Sequence, residues 1–309
     1  MVRKRGYFAA SGGARDFSRG LRAVYLVGKH RERGHRSALL DLGLFSYSTF
    51  SWGNITAGAV AIGEFAIIFV LPLYLINALD LSTMSAGFVL AAMAIGAFFS
   101  GAAACHVAAR FGAPGTVLIG LGLEVVGVLI LVPFMGPDTN GWIIAAPLTL
   151  YGLGLGFASA QLTGTVLRDI PVDASGQASA TQSTVRQIGS SLGTAVSGSV
   201  LSAALALTLP KALDDAAITG PGTDSIVEAT RQSAGSSIAQ LRDQGGNGPF
   251  REQTEAVVQA LSEGMTNAAQ WSLVAATAFL ALGFVGALRV RCAAAQNGNE
   301  TEDKAFVGQ

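Results

Sequence analysis

Two carboxylates, Glu64 and Glu124, each stand near the middle of a long stretch that carries no other charge. If those stretches cross a bilayer, both acids lie at mid-membrane, where an ionised side chain costs on the order of 2.5–3.5 kcal/mol even on a mild insertion scale. A residue kept there faces a water-filled cavity, a partner, or a proton that it gains and loses. The last is what coupling to a proton gradient requires. A structural hydrogen bond to a serine or a backbone carbonyl is the plainer reading of the same residues. Gln161 ends a glycine-rich stretch, where its amide can bond a substrate or a neighbouring helix. Arg186 and Gln187 precede a serine-rich apolar run. If that helix starts near Ala174, as Pro171 and Asp173 indicate, it runs for roughly 35 residues and Arg186 points into a cavity. Otherwise Arg186 is an interfacial anchor.

Motifs of soluble enzymes fail on context. Gly152-Leu153-Gly154-Leu155-Gly156 resembles a dinucleotide loop but lacks the third glycine at the right spacing and a preceding strand. Gly189-Ser190-Ser191-Leu192-Gly193 fits a nucleophile elbow, yet His30, His35 and His106 all precede Ser191. The two cysteines, Cys105 and Cys292, make neither a disulfide scaffold nor a zinc site. No metal or organic cofactor is expected, and an enzyme is not. Lys+Arg and Asp+Glu are both 20, so a net charge of zero argues against a nucleic-acid partner.

The elements that hold these residues follow from where charges are missing. Charged residues are 13% of the chain, about half the usual share. Between Trp52 and Thr163 the only charges are Glu64, Asp80, Arg110, Glu124 and Asp138. Apolar runs cover roughly 52–76, 84–107, 114–135, 141–163, 187–209 and 271–290. Each is long enough to cross a hydrocarbon core of about 30 Å. In lipid the backbone must satisfy its own hydrogen bonds, so the runs are helices. The prediction is an all-α integral membrane protein, a six-helix bundle. Glycines inside the runs (Gly96 and Gly101; Gly152, Gly154 and Gly156; Gly189, Gly193 and Gly198) predict close helix contacts.

Ten of the 20 Lys/Arg residues fall in 1–36. Arg110, Arg168, Arg186, Arg289 and Arg291 follow at alternate breaks. The positive-inside rule then puts both termini in the cytoplasm of a multi-pass cell-membrane protein. The chain divides into a basic arm (1–36), spans one to five (37–207), an external loop (208–270), a last span (271–291) and a tail (292–309). The arm lacks the apolar core and cleavage site of a signal peptide. Within the loop, one amphipathic helix is expected around Ile226–Ile238 and another around Val257–Met265, separated by the breaker 245–249.

Several segments together resemble the major facilitator superfamily, specifically its fourteen-span drug:proton antiporter branch (EmrB/QacA-type). The strongest runs from Pro171 through Gly176 and Arg186-Gln187-Ile188-Gly189 to Leu192-Gly193, similar to that branch's entry into its thirteenth span. Leu39–Phe45 resembles its lead-in to the ninth span, and Phe69–Leu75, with Pro72 and Tyr74, the end of that span. Ala108-Ala109-Arg110-Phe111-Gly112 is similar to a loop motif in which an Asp usually precedes the Arg, so Arg110 and Gly112 are a remnant. The resemblance covers 37–291 and implies the C-terminal six-helix half of such a transporter, itself two inverted three-helix repeats. It implies proton-coupled efflux of a small hydrophobic molecule, driven by the proton gradient, with Glu64 and Glu124 as proton-coupling candidates and Gln161, Arg186 and Gln187 on the substrate path. It also implies a partner: the missing N-terminal half or a second copy. A truncated or split gene product is therefore expected. The alternative is an inert truncated membrane fragment or a structural membrane protein without transport activity.

Overall fold

The computed structural model describes residues 42–218, 220, 222–245, 250 and 253–307. The basic arm 1–36, residues Leu39–Asp41 of the lead-in and Gly246–Pro249 of the breaker lie outside them. Among the described residues all regular structure is helical: α1 (Ser48–Leu73), α2 (Thr83–Phe111), α3 (Ala113–Phe134), α4 (Gly141–Val166), α5 (Ser175–Asp215), α6 (Thr223–Gln232), α7 (Ser236–Gln244) and α8 (Thr254–Val307). Six of these (α1 to α5 and α8) are long and apolar enough to cross a membrane.

Local chemistry sets the ends. The Ser82 hydroxyl accepts from the Ser85 N–H (3.2 Å) at the start of α2, and the Asn140 side chain accepts from the Trp142 N–H (3.0 Å) at the start of α4. Between α2 and α3 the chain turns on Gly112, whose φ of +76° suits glycine. Pro72 cannot donate a backbone hydrogen bond, and α1 widens directly after it into a π-turn over Tyr74–Ala78. The Tyr74 hydroxyl there donates to the Gly136 carbonyl (2.8 Å), tying α1 to the turn between α3 and α4.

The packing has an internal symmetry. Helix α4 packs on α2 and α3; α1 packs on α5 and α8; α5 meets α8; α3 meets α8; and α1 meets α4. Exchanging α1 with α4, α2 with α5 and α3 with α8 maps this set of contacts onto itself, apart from a weaker α2–α3 contact. Three spans per unit is an odd number, so the second unit enters from the opposite side. This is the arrangement of an inverted repeat. The exchanged partners also match in burial. Of the apolar windows, 56% of α1 and 50% of α4 are buried, against 22% of α2 and 28% of α5. The central pair is thus α1 and α4, and α2 and α5 present open faces.

Glycines set the helix spacing. A Cβ on Gly152 would lie 2.0 Å from the Met93 carbonyl oxygen, and one on Gly193 would lie 2.4 Å from that of Ile62. Helix backbones touch at both crossings, as small-residue packing in membranes requires.

Three boundaries differ from the sequence reading. Helix α5 has 41 residues and continues through Pro210 to Asp215 rather than ending at 207, because Leu209, Ala212 and Leu213 still bury an apolar face. Helix α8 starts at Thr254, so Val257–Met265 is the first part of the last span's helix and not a separate amphipathic helix, and α8 continues through the tail to Val307. Glu255 and Glu263 lie exposed on this stretch, while Val257, Leu261 and Met265 are fully buried beside them. The expected helix around Ile226–Ile238 is two helices, because the chain turns at Ala234 (φ +49°) and Gly235 (φ +97°).

Helices α6 and α7 are strapped to the end of the bundle that holds the α1–α2 and α3–α4 turns. Arg242 of α7 pairs with Asp80 at 2.6 Å, and the Asn77 amide donates to the Ala234 carbonyl at 3.0 Å. On exposed α6, Arg231 donates two hydrogen bonds to Glu228, which hold that carboxyl below its usual range. A depressed carboxyl pKa stabilises at neutral pH, and its small contribution is lost as pH falls through the folded-state value. The Asp80–Arg242 pair is partly exposed, and such pairs contribute up to about 1 kcal/mol. Asp80→Asn is therefore expected to raise amide exchange in α7 by about two- to fivefold, with the six spans unchanged. Unaltered α7 exchange would show that the pair holds nothing.

Candidate functional site

Glu64, on α1, is 4% exposed and Glu124, on α3, is 0% exposed. The two come from different helices and are brought into one electrostatic cluster with Arg186 of α5, whose charge acts on both. Arg186 Nη2 lies 3.7 Å from Glu64 Oε2, an ion pair at the outer limit of contact. Of the Arg186 side chain, 35% is exposed. Both Glu124 oxygens are buried without a hydrogen-bond partner, and so is the hydroxyl of Tyr151 on α4. The Glu124 Cγ packs where a Cβ on Gly154 would come within 2.9 Å.

The cluster follows from helix faces. Gln182, Gly189, Gly193 and Ser197 are buried along one stripe of α5. The Ser197 hydroxyl donates to the Ala66 carbonyl of α1 (3.1 Å), and Gly189 meets the Gly58 carbonyl. Arg186 stands on this stripe, one turn before Gly189. The length of α5, which begins at Ser175, puts it inside the bundle. Arg186 thus pairs with Glu64, while Glu124 lies near both charges with no hydrogen bond of its own. With both ionised the cluster carries one net negative charge, which one proton would neutralise.

The other expected residues are elsewhere. Gln161 is half-buried, and its carbonyl accepts from the Thr165 hydroxyl at 2.7 Å. Gln187 is exposed, and its carbonyl accepts from the Ser190 and Ser191 hydroxyls. Neither contact joins the acidic cluster. Arg110 is exposed at the α2–α3 turn, its guanidinium 5.7 Å from the Phe111 ring centroid, with Gly112 forming the turn itself. Tyr151 was not expected at all. The only signal for it is its place beside the Gly152–Gly156 stretch, whose close packing buries whatever adjoins it. Among the described residues no group of His, Cys, Asp and Glu could hold a metal ion.

Comparison with known proteins matches the sequence pattern of the Major Facilitator Superfamily over residues 13–194. The match begins within the basic arm, earlier than the resemblance beginning at 37. The multidrug efflux pump LfrA of Mycolicibacterium smegmatis is 33% identical over 174 residues, 55% of this chain and 34% of that protein. The riboflavin transporter RibZ of Clostridioides difficile is 27% identical over 172 residues, 56% of this chain and 38% of its own length. The multidrug resistance protein Stp of Mycobacterium tuberculosis is 26% identical over 185 residues, 60% of this chain and 34% of its own. The chain thus matches 34–38% of the length of these relatives. With six apolar spans, an inverted three-helix repeat and a family match over more than half its length, this multi-pass membrane chain belongs to the Major Facilitator Superfamily.

Proposed function

We propose that the chain is the C-terminal bundle of a proton-coupled efflux transporter for multiple drugs or other small hydrophobic molecules, with both termini in the cytoplasm. The observation that carries this reading is the cluster of two buried acids, Glu64 and Glu124, with the half-buried Arg186, drawn from α5 and two other spans. An acid in that setting exchanges a proton only when the bundle opens to water on one side. Protonation therefore biases one orientation over the other. The energy source is the proton gradient and no cofactor is called for.

The open faces support a partner bundle. On α2, Phe88, Ile95, Phe98 and Phe99 are each more than half exposed. On α5, Ser183, Thr184, Gln187 and Ser191 are exposed. A bilayer accepts the phenylalanines but gains nothing from the polar row. A second bundle, either an N-terminal half or another copy, would cover the row and enclose a path that is greasy on one wall and polar on the other.

The test uses vesicles loaded with a pH-sensitive dye and exposed to lipophilic drugs. They hold this chain either alone or with the part of LfrA that it does not match supplied in trans. Drug-driven proton movement is expected with the pair, and Glu64→Gln is expected to abolish it at an unchanged protein level. Proton movement that persists in Glu64→Gln removes Glu64 from the mechanism. No movement in any arm supports a chain that inserts and transports nothing.

A further inference from the structure

We propose that the groove between the end of α5 and the start of α8 binds the headgroup of a zwitterionic phospholipid with a primary amine. The groove has a volume of ≈ 420 Å³. Its floor is the crossing of the two helices, where the Thr208 hydroxyl donates to the Gly264 carbonyl at 2.7 Å. Two columns of side chains form its walls: Leu207, Lys211 and Asp215 on α5, and Trp271, Asn267 and Glu263 on α8.

Residues four apart on a helix share a face and stand about 6 Å apart along the axis. Helix α5 runs outward here and α8 runs inward, so the columns match in depth. Leu207 and Trp271 are deepest, at the edge of the apolar spans, and are 75% and 64% exposed. Lys211 and Asn267 come next. Asp215 and Glu263 are outermost. The chemistry therefore passes from apolar to cationic to anionic over about 12 Å. An ethanolamine-type phospholipid presents the complement in the same order: acyl and ester groups, then phosphate, then ammonium. Trp271 sits where tryptophan is favoured, at the boundary between hydrocarbon and headgroups.

Among the described residues nothing already uses these groups. Lys211, Asp215, Glu263 and Asn267 form no ion pair or side-chain hydrogen bond among the described residues, although Lys211 and Asp215 are one turn apart on the same face. One cation and two anions leave a net negative charge, which disfavours an anionic headgroup. A quaternary amine offers the two carboxylates no N–H to accept. The inference requires the bilayer but not the transport reading.

The test isolates Trp271. The other tryptophans, Trp52 and Trp142, are exposed, and W52F/W142F leaves Trp271 as the single emitter. The full chain is placed in phosphatidylglycerol vesicles containing a minor fraction of acyl-brominated phosphatidylethanolamine or phosphatidylcholine. At equal mole fraction the ethanolamine lipid is expected to quench Trp271 about three- to fivefold more strongly. D215N/E263Q is expected to erase that preference without changing helicity. Equal quenching by the two lipids, or a preference that survives D215N/E263Q, overturns the proposal. So does an absence of quenching by either, which would mean that another body covers the groove. Full displacement by water-soluble glycerophosphoethanolamine would assign the site to a free solute and overturn the lipid as its ligand.

Discussion

Gly152→Leu is expected to remove most of the folded protein. A single Cβ at this position would stand 2.0 Å from the Met93 carbonyl oxygen and 2.8 Å from its carbon. Both are backbone atoms of α2, so no side-chain rotation relieves the clash, and α2 and α4 must separate. Two further glycines extend the damage. A Cβ on Gly156 would meet the Ala97 carbonyl oxygen at 2.3 Å, and one on Gly96 would meet that of Thr149 at 2.4 Å. Separation at Gly152 therefore loosens the whole α2–α4 crossing. Overpacking a tight core typically costs about 1–3 kcal/mol and occasionally more. Here a rigid backbone contact puts the effect at or above the upper end. The control is Gly101→Leu on α2, where nothing lies within 4 Å. The measurement is the yield and melting temperature of detergent-solubilised protein. Equal loss in both variants would mean that leucine harms these helices generally and that the crossing at Gly152 is not the cause.

The six spans were legible because a membrane span is defined by what it lacks, and the charge-free runs show that without reference to any contact. Glu64 and Glu124 were legible for the same reason: an acid inside such a run is conspicuous wherever its side chain points. The pairing of Glu64 with Arg186 was not. It joins helices 122 positions apart, and the charge of Arg186 suits an interfacial anchor equally well until the packing of α5 on α1 is known. The helix at Val257–Met265 was legible, but not its continuity with the last span, because Glu255, Gln259 and Glu263 interrupt the hydropathy while occupying one face of a helix whose other face is buried. The division between α6 and α7 was hidden by the four-residue spacing of Ile226, Thr230, Ala234 and Ile238. That spacing continues across a turn in which Ala234 and Gly235 both have positive φ. The open faces of α2 and α5 could be assigned only once the inverted repeat had shown which helices are central.

Arg186→Gln is expected to destabilise the bundle far more than the combined change Glu64→Gln/Arg186→Gln. In the native cluster one guanidinium faces a carboxylate that is only 4% exposed, and its charge also reaches a second that is fully buried. Among the described residues no other positive charge acts on either acid, so removing Arg186 leaves both uncompensated. Breaking a fully buried pair in this way costs about 3–5 kcal/mol. With the Arg186 side chain 35% exposed, solvent screening reduces the expected loss to roughly 1–3 kcal/mol. The double change removes one acid together with the cation, so the cost that remains falls on Glu124 alone. Two neutral amides then replace the pair, so neither position leaves an uncompensated charge. Thermal unfolding of the four proteins in one detergent completes the cycle. A double variant less stable than Arg186→Gln, or one whose loss equals the sum of the single losses, would mean that the 3.7 Å approach of Arg186 to Glu64 carries no coupling. If the coupling is present, drug-dependent proton movement should still be absent from the double variant despite its recovered stability. Restoring the fold without the carboxyl of Glu64 restores the scaffold but not the proton it is proposed to carry.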